Sequence, residues 1–281
     1  MTRHQALKRL TWRIGRKIYM SARQEERFGA INRNGEAYAI RNMISHTNGM
    51  DQLVVFDIGA NQGDWTKQLL LSMPAERKEQ DRLSVHAFEP VPETSAMYRD
   101  AIDAMVGSNT VTLHETAMSD KPGVAEIGLY SAGAGTNSIH FDKDDCQIET
   151  TLKIDLSTID GFVAKHGLER VHYAKCDTEG HDARVILGAR QSLEQGVIDV
   201  LQFEYNHRWV FARSFLKDIF DLIDVLPYSL AKITENGALL YETWHPELDR
   251  FFQSNYILVH DRAITWFDVH HGRFDQANTY A

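Results

Sequence analysis

Ionisable and small residues crowd two short stretches of this chain. The first is Asp57-Ile58-Gly59-Ala60-Asn61-Gln62-Gly63-Asp64, and the second is Asp177-Thr178-Glu179-Gly180-His181-Asp182. Strand-like stretches precede both: the apolar Leu53–Phe56 with Ile58, and Val171–Cys176, which carries His172 and Lys175 among apolar residues. An apolar run that meets glycine and then a helix-forming stretch is the pattern of a buried parallel strand turning into a helix. Gly59 and Gly63 let the backbone turn sharply and approach a ligand. Asp64 and Thr66 suit the first turn of the helix that follows. A doubly wound α/β sheet presents its ligands at such carboxyl strand ends.

The first loop narrows the ligand. A dinucleotide loop reads G-x-G-x-x-G, and here Asn61 stands where the second glycine would be. Asp57 would repel a phosphate, yet a carboxylate suits an ammonium and a sulfonium. The D-x-G-x-N-x-G spacing therefore favours S-adenosylmethionine over NAD. Glu89 closes the strand Leu83–Phe88, 26 residues after Gly63, where an acid can accept from ribose hydroxyls. Met118 and Ser119 follow the strand Val111–His114 and could hold an adenine, although a plain turn explains them nearly as well.

The second stretch offers acid–base chemistry. With S-adenosylmethionine as the ligand, transfer of its methyl group would gain from positioning of the acceptor and from a base beside it. Asp177 ends the strand nearest the expected methyl group and is the first choice for the centre. Glu179 either orients the acceptor or caps the helix that begins near Gly180. His181 and His207 ordinarily titrate near neutrality, though a lone histidine in a first helical turn is more often structural. Asp177, Glu179, Asp182, Glu204 and His207 could together offer ligands to Mg²⁺, but no spacing is diagnostic of a metal site.

Those residues need a frame, and 281 residues that are 43% hydrophobic and 10% aromatic can build one. Seven strands are expected, the last two near Tyr228–Ile233 and Tyr256–Val259, with Asn236-Gly237 marking a tight turn. Helices are expected over 64–73, 183–193 and about 215–226, with Pro74–Arg82 a charged linker. Val124–Tyr130 and Thr151–Asp155 read as short β insertions around a polar loop, Gly133–Ser138, suited to the acceptor side. The expected organisation is an N-terminal helical extension over 1–48, a cofactor-binding domain over 49–262 and a tail over 263–281.

Charge is uneven. Residues 1–30 carry a net +6 against −9 for the whole chain. That balance argues against a general nucleic-acid binder. Leu7, Leu10, Ile14 and Ile18 share one face of a basic helix. Packing of that face on the domain is the favoured expectation, with a homo-oligomer contact second and a lid or a membrane-surface helix as further readings. Two cysteines, Cys146 and Cys176, lack C-x-x-C spacing and fit a reducing, cytoplasmic setting. No apolar run reaches the ~18 residues of a membrane span, and the basic N-terminus lacks the apolar centre of a secretory signal.

Taken in order, Phe56–Asp64, Phe88-Glu89-Pro90-Val91-Pro92, Ala117–Gly123 and Lys175–Asp182 with Val185–Ala189 resemble the FkbM family of S-adenosylmethionine-dependent methyltransferases. Gly135–Ser138 and Ile154–Asp160 add weaker support. The resemblance spans about residues 50–206 and implies a class I methyltransferase fold, Rossmann-like and mostly parallel. It also implies O-methylation of a hydroxyl on a small molecule, a natural product, a sugar or a glycan. By that resemblance Asp57, Gly59, Asn61 and Gly63 bind the methionyl part of the cofactor and Glu89 its ribose. The chain departs from the family's usual K-I-D-V-E-G-x-E at Cys176, Thr178 and Asp182. The rival readings are an NAD-dependent oxidoreductase and a non-catalytic S-adenosylmethionine-binding scaffold.

Overall fold

A computed structural model describes residues 2–23, 31–79, 82–130, 135–141 and 147–275. Helices α1 (Arg3–Ala22) and α2 (Glu36–Thr47) precede strand β1 (Leu53–Ile58). Then come α3 (Asp64–Ser72), α4 (Ala75–Glu79), β2 (Leu83–Phe88), α5 (Pro92–Ile102) and β3 (Val111–His114). Strands β4 (Ala117–Met118), β5 (Gly123–Leu129) and β6 (Thr150–Ser157) form a small separate sheet. The chain returns through α6 (Ile159–His166), β7 (Tyr173–Cys176), α7 (Asp182–Leu187), α8 (Arg190–Glu194) and β8 (Val200–Tyr205). It ends with α9 (Trp209–Ala212), α10 (Leu216–Ile223), β9 (Tyr228–Thr234), β10 (Gly237–Tyr241), β11 (Ser254–His260) and β12 (Val269–His271).

The large sheet runs β12-β10-β9-β11-β8-β7-β1-β2-β3. Strands β3, β2, β1, β7 and β8 are mutually parallel, and β11 enters antiparallel between β8 and β9. All six residues of β1 are buried, as a strand covered on both faces requires. On one side Val55 and Leu53 join Ile40, Met43, Trp65 and Leu69. On the other, Phe56 joins Phe88, Phe162, Val185 and Ile186. The chain leaves β1 towards β2 and β3, then comes back to β7 on its other side. That reversal opens a crevice at the carboxyl ends of β1 and β7.

Several expectations change. The large sheet has nine strands rather than seven, because β10 pairs with β9 across Glu235-Asn236 and the short β12 joins β10. The segment expected as a tail after 262 therefore contributes to the sheet as far as His271, and its last residues, 276–281, lie outside the described part. The extension expected over 1–48 is also not separate throughout, since α2 packs into the core through Ala39, Ile40 and Met43. The charged linker contains α4, and its Gln80 and Asp81 lie outside the described residues. The helix expected over 183–193 is two, broken at Gly188-Ala189.

Helix α1 departs furthest from expectation. No α1 residue is buried, and Leu7, Leu10, Ile14 and Ile18 face solvent. Periodicity correctly marks an apolar stripe, but the domain does not cover it.

Candidate active site

The loops after β1 and β7 press together. Gly59 sits at φ 75° and a Cβ there would collide with the Asp177 carbonyl, so only glycine allows this approach. Asn61 and Glu179 hold positive φ values of 46° and 54° without being glycine, a costly conformation that clusters at functional sites. Both line a cavity of about 440 Å³. Its walls include Ala60, Asn61 and Gln62 from the first loop, Glu89 after β2, Met118 of β4, and Asp177, Thr178, Glu179 and His181 after β7.

Charge is concentrated along one wall. Lys175 is buried beneath the loops, 3.4 Å from Asp57 and 3.7 Å from Asp177, and donates to the Gly59 carbonyl. Burial alone would lower its ammonium, but Asp57, Asp177 and Glu36 outweigh that and raise it, so Lys175 stays charged. Glu89 accepts from the Asn61 and Val91 amides at 3.1 and 3.0 Å. Burial still pushes its carboxyl up to about 7. Glu179 pairs with Arg208 at 3.1 Å. Burial, then the Asp177 charge, holds its carboxyl well above the ordinary range.

The β insertion adds Ile127, Asn137 and Ser138 to the cavity lining. The Ser138 hydroxyl donates to the Glu179 carbonyl at 2.8 Å, and Arg208 donates to the Thr136 carbonyl at 3.3 Å. Several buried polar atoms around the crevice have no hydrogen-bond partner among the described residues: Asn61 Oδ1, Trp65 Nε1, Thr94 Oγ1 and Asp177 Oδ1. Leaving such atoms unpaired is unfavourable, so the cavity is built for a polar guest.

Residues 57–232 match the model of the methyltransferase FkbM domain. The chain belongs to the FkbM methyltransferase family. A search of curated proteins found no match. Among solved structures, an FkbM methyltransferase from Methylobacillus flagellatus KT is 14% identical, with a TM-score of 0.46 over 78% of this chain and 47% of that one. The chain thus spans about half that protein's length. A precorrin-6y C5,15-methyltransferase from Geobacter metallireducens GS-15 is 12% identical, with a TM-score of 0.40 over 80% of this chain and 86% of that one. An rRNA methylase from Streptococcus thermophilus is 10% identical, with a TM-score of 0.40 over 80% and 93%.

Within this FkbM domain the expected site residues divide. Gly59, Asn61, Glu89, Met118, Asp177, Glu179 and His181 line the cavity. Asp57 stands behind the wall, fully buried, accepting the Thr66 hydroxyl at 2.6 Å. Gly63 caps α3 against the Tyr98 ring rather than lining the cavity. Ser119 is also behind the wall, its hydroxyl 2.9 Å from His181 Nε2. His207 is exposed and outside. Gly133 and Ala134 of the expected acceptor loop lie outside the described residues.

The geometry bears on three chemical expectations. His181 has both ring nitrogens engaged, Nδ1 with His140 at 2.9 Å and Nε2 with Ser119. Burial pulls it down to about 3, which makes it a weaker proton acceptor than its residue type suggests. The loop amides of Thr178 and Gly180 are satisfied by Asp182 at 3.3 and 3.2 Å, not by Glu179. That frees Glu179 to face the cavity. Among the described residues no His, Cys, Asp and Glu side chains converge as a metal-holding group. Asp177, Glu179, Asp182, Glu204 and His207 do not make the Mg²⁺ set that their residue types allowed.

Reading motifs missed Glu36 and Lys175 as wall residues. Glu36 comes from α2, far from either loop in sequence, and is held by Asn34 and Gln202 at 2.7 and 2.9 Å. A lysine flanked by apolar residues in a buried strand was the available signal for Lys175.

Proposed function

We propose that this chain is an S-adenosylmethionine-dependent O-methyltransferase acting on a hydroxyl of a small molecule, a sugar or a glycan. The observation that carries this reading is the excess of carboxylate on one cavity wall, with unpartnered buried oxygens on Asn61 and Asp177. A cation fits that wall better than a phosphate does. Asn61 and Asp177 would hold the methionyl end, Glu89 the ribose hydroxyls, and Met118 the adenine. Bound there, the cofactor supplies an electrophilic methyl group.

The protein's own residues do the rest. Asp177 orients the acceptor hydroxyl, which the handful of side chains around it hold for in-line attack. Glu179 receives the hydroxyl proton; its raised affinity for a proton makes it a stronger base once ionised. Arg208 fixes the Glu179 carboxylate and ties it to the insertion loop. The same loop narrows the mouth and limits water.

Calorimetric titration of S-adenosylhomocysteine into wild type and Glu89→Ala, with NAD as control, tests the reading. Binding that weakens by about tenfold in the variant, the loss of a hydrogen-bonded ribose contact, with no NAD binding, supports it. Absence of binding by well-folded protein would sink it.

A further inference from the structure

The side of α1 that the body holds is the wrong one for core packing. At about 100° per residue, Leu7, Leu10, Ile14 and Ile18 fall within one narrow arc, each half or more exposed. Arg16, Tyr19 and Arg23 point the other way, and they make the contacts. The Tyr19 hydroxyl donates to Glu247 at 2.6 Å and its ring meets Phe252 at 5.7 Å. Arg23 pairs with Glu247 at 3.0 Å, and Arg16 lies over Phe252 at 5.9 Å. The body therefore presents the aliphatic stripe outwards. Lys17 and Arg13 border one side of it and Lys8 the other.

We propose that α1 docks the protein on an anionic membrane surface, with the stripe in the headgroup–acyl boundary and the flanking bases at lipid phosphates. The charge distribution is the second support. Residues 2–23 hold seven Lys and Arg and no Asp or Glu, while the whole chain is −9. An anionic surface would attract the helix and repel the body, which sets an orientation as well as an attraction. Among the described residues no helix is long and apolar enough to cross a membrane, so the contact is interfacial.

The stripe argues against the other occupants. A coiled-coil seam with a second copy that begins at Leu7, Leu10 and Ile14 would continue at positions 17 and 21, which are Lys17 and Ser21. A nucleic acid would use the bases and leave four aliphatic side chains in water. Val210, Phe211 and Phe215 form another exposed apolar group. Phe215 meets Phe251 at 6.0 Å, next in sequence to the Phe252 that receives Tyr19.

Flotation of the full chain with phosphatidylcholine vesicles, with and without phosphatidylserine, tests this at low and high salt. Binding is expected only with phosphatidylserine, to weaken at high salt, and to fall about tenfold or more in Leu10→Glu/Ile14→Glu and in Arg13→Glu/Lys17→Glu. Unchanged thermal unfolding shows that these exposed substitutions leave the fold intact. Failure to float with either vesicle would overturn the proposal. So would equal flotation of the stripe variant. A stable dimer in light scattering that the stripe variant splits would assign the stripe to a second copy instead. RNA binding insensitive to the stripe variant, without flotation, would assign the basic face to nucleic acid.

Discussion

Asp199 at the amino end of β8 is fully buried, and Arg170 and Arg262 close on it at 2.8 and 2.5 Å. At the carboxyl end of the same sheet, Asp57, Asp177, Glu179, Asp182 and Glu204 share only Lys175 and Arg208 among the cations described around them. Asp182 leans on loop amides, and Glu204 on the side chains of Asn206 and Gln253. One end is a neutralised joint. The other gathers more carboxyl groups than cations and leaves buried oxygens without a hydrogen-bond partner among the described residues, which folding alone does not favour. The difference separates a buried charge that holds elements together from ionisable groups gathered beside an open cavity.

The sharpest way to break this comparison is at Glu179. Glu179→Gln keeps the shape and removes the proposed base, so methyl transfer should fall about 10²–10⁴-fold while the unfolding temperature holds or rises. Single-turnover rates beside a thermal melt would show it. A surviving rate would mean the surplus acids are not there for proton transfer. Next in size is the opposite end. Arg170→Ala/Arg262→Ala strands Asp199 as an uncompensated buried charge and should remove about 3–5 kcal/mol of stability in urea unfolding. S-adenosylhomocysteine binding should be unchanged per folded molecule. A loss below about 1 kcal/mol would show that water reaches Asp199 and that the joint is not tight.

What could be read from sequence follows the same division. The loops after β1 and β7 were legible because their glycines, asparagine and acids act over a few residues, and Glu89 because a strand end fixes its place. Asp199 drew no notice, since its partners at 170 and 262 meet it only when three strands assemble. Glu36 was hidden for the same reason, reaching the cavity through Gln202. His181 illustrates a different limit: residue type suggests a neutral-pH base, but burial decides its proton affinity. In α1 the apolar period was plain, yet period cannot say which body, if any, covers a stripe. Here the choice falls to Tyr19 and Arg23 meeting Glu247, a long-range pairing.

A substitution of opposite sign sharpens the contrast. The Asp177 charge disfavours ionisation of Glu36, Glu179, Asp182 and Glu204. Asp177→Asn should therefore stabilise the protein by about 1–2 kcal/mol, a rise of ~2–4 °C for each kcal/mol in a chain of this size class. It should do so while weakening S-adenosylmethionine binding and slowing transfer. A destabilised Asp177→Asn protein would mean its pairing with Lys175 outweighs the repulsion, and the carboxyl end would then resemble the joint around Asp199.

The smallest effect is a pH dependence, and its sign follows from the same burial. Glu89 and Asp182 are pushed up to about 7, by burial first in both. A carboxyl raised in the folded state contributes stability that is complete below its ordinary value near 4.5 or lower. That contribution is lost as pH rises through 7. His181, pulled down by burial to about 3, and His86 and His172, to about 4, act oppositely. Their contribution is complete above the ordinary value near 6.5 and is lost as pH falls through the folded one. The two trends oppose each other between about pH 4.5 and 6.5, and only the carboxyls remain above that. Stability without ligand should fall by about 1 kcal/mol from pH 6.5 to 8, read as a lower urea midpoint. Over the same interval S-adenosylmethionine should bind severalfold more tightly, because an ionised Glu89 accepts more strongly from the ribose hydroxyls it is proposed to hold. Glu89→Gln should flatten both slopes. A flat stability profile in the wild type would place these carboxyls in contact with water, and the surplus of buried carboxyls would cease to distinguish the two ends of the sheet.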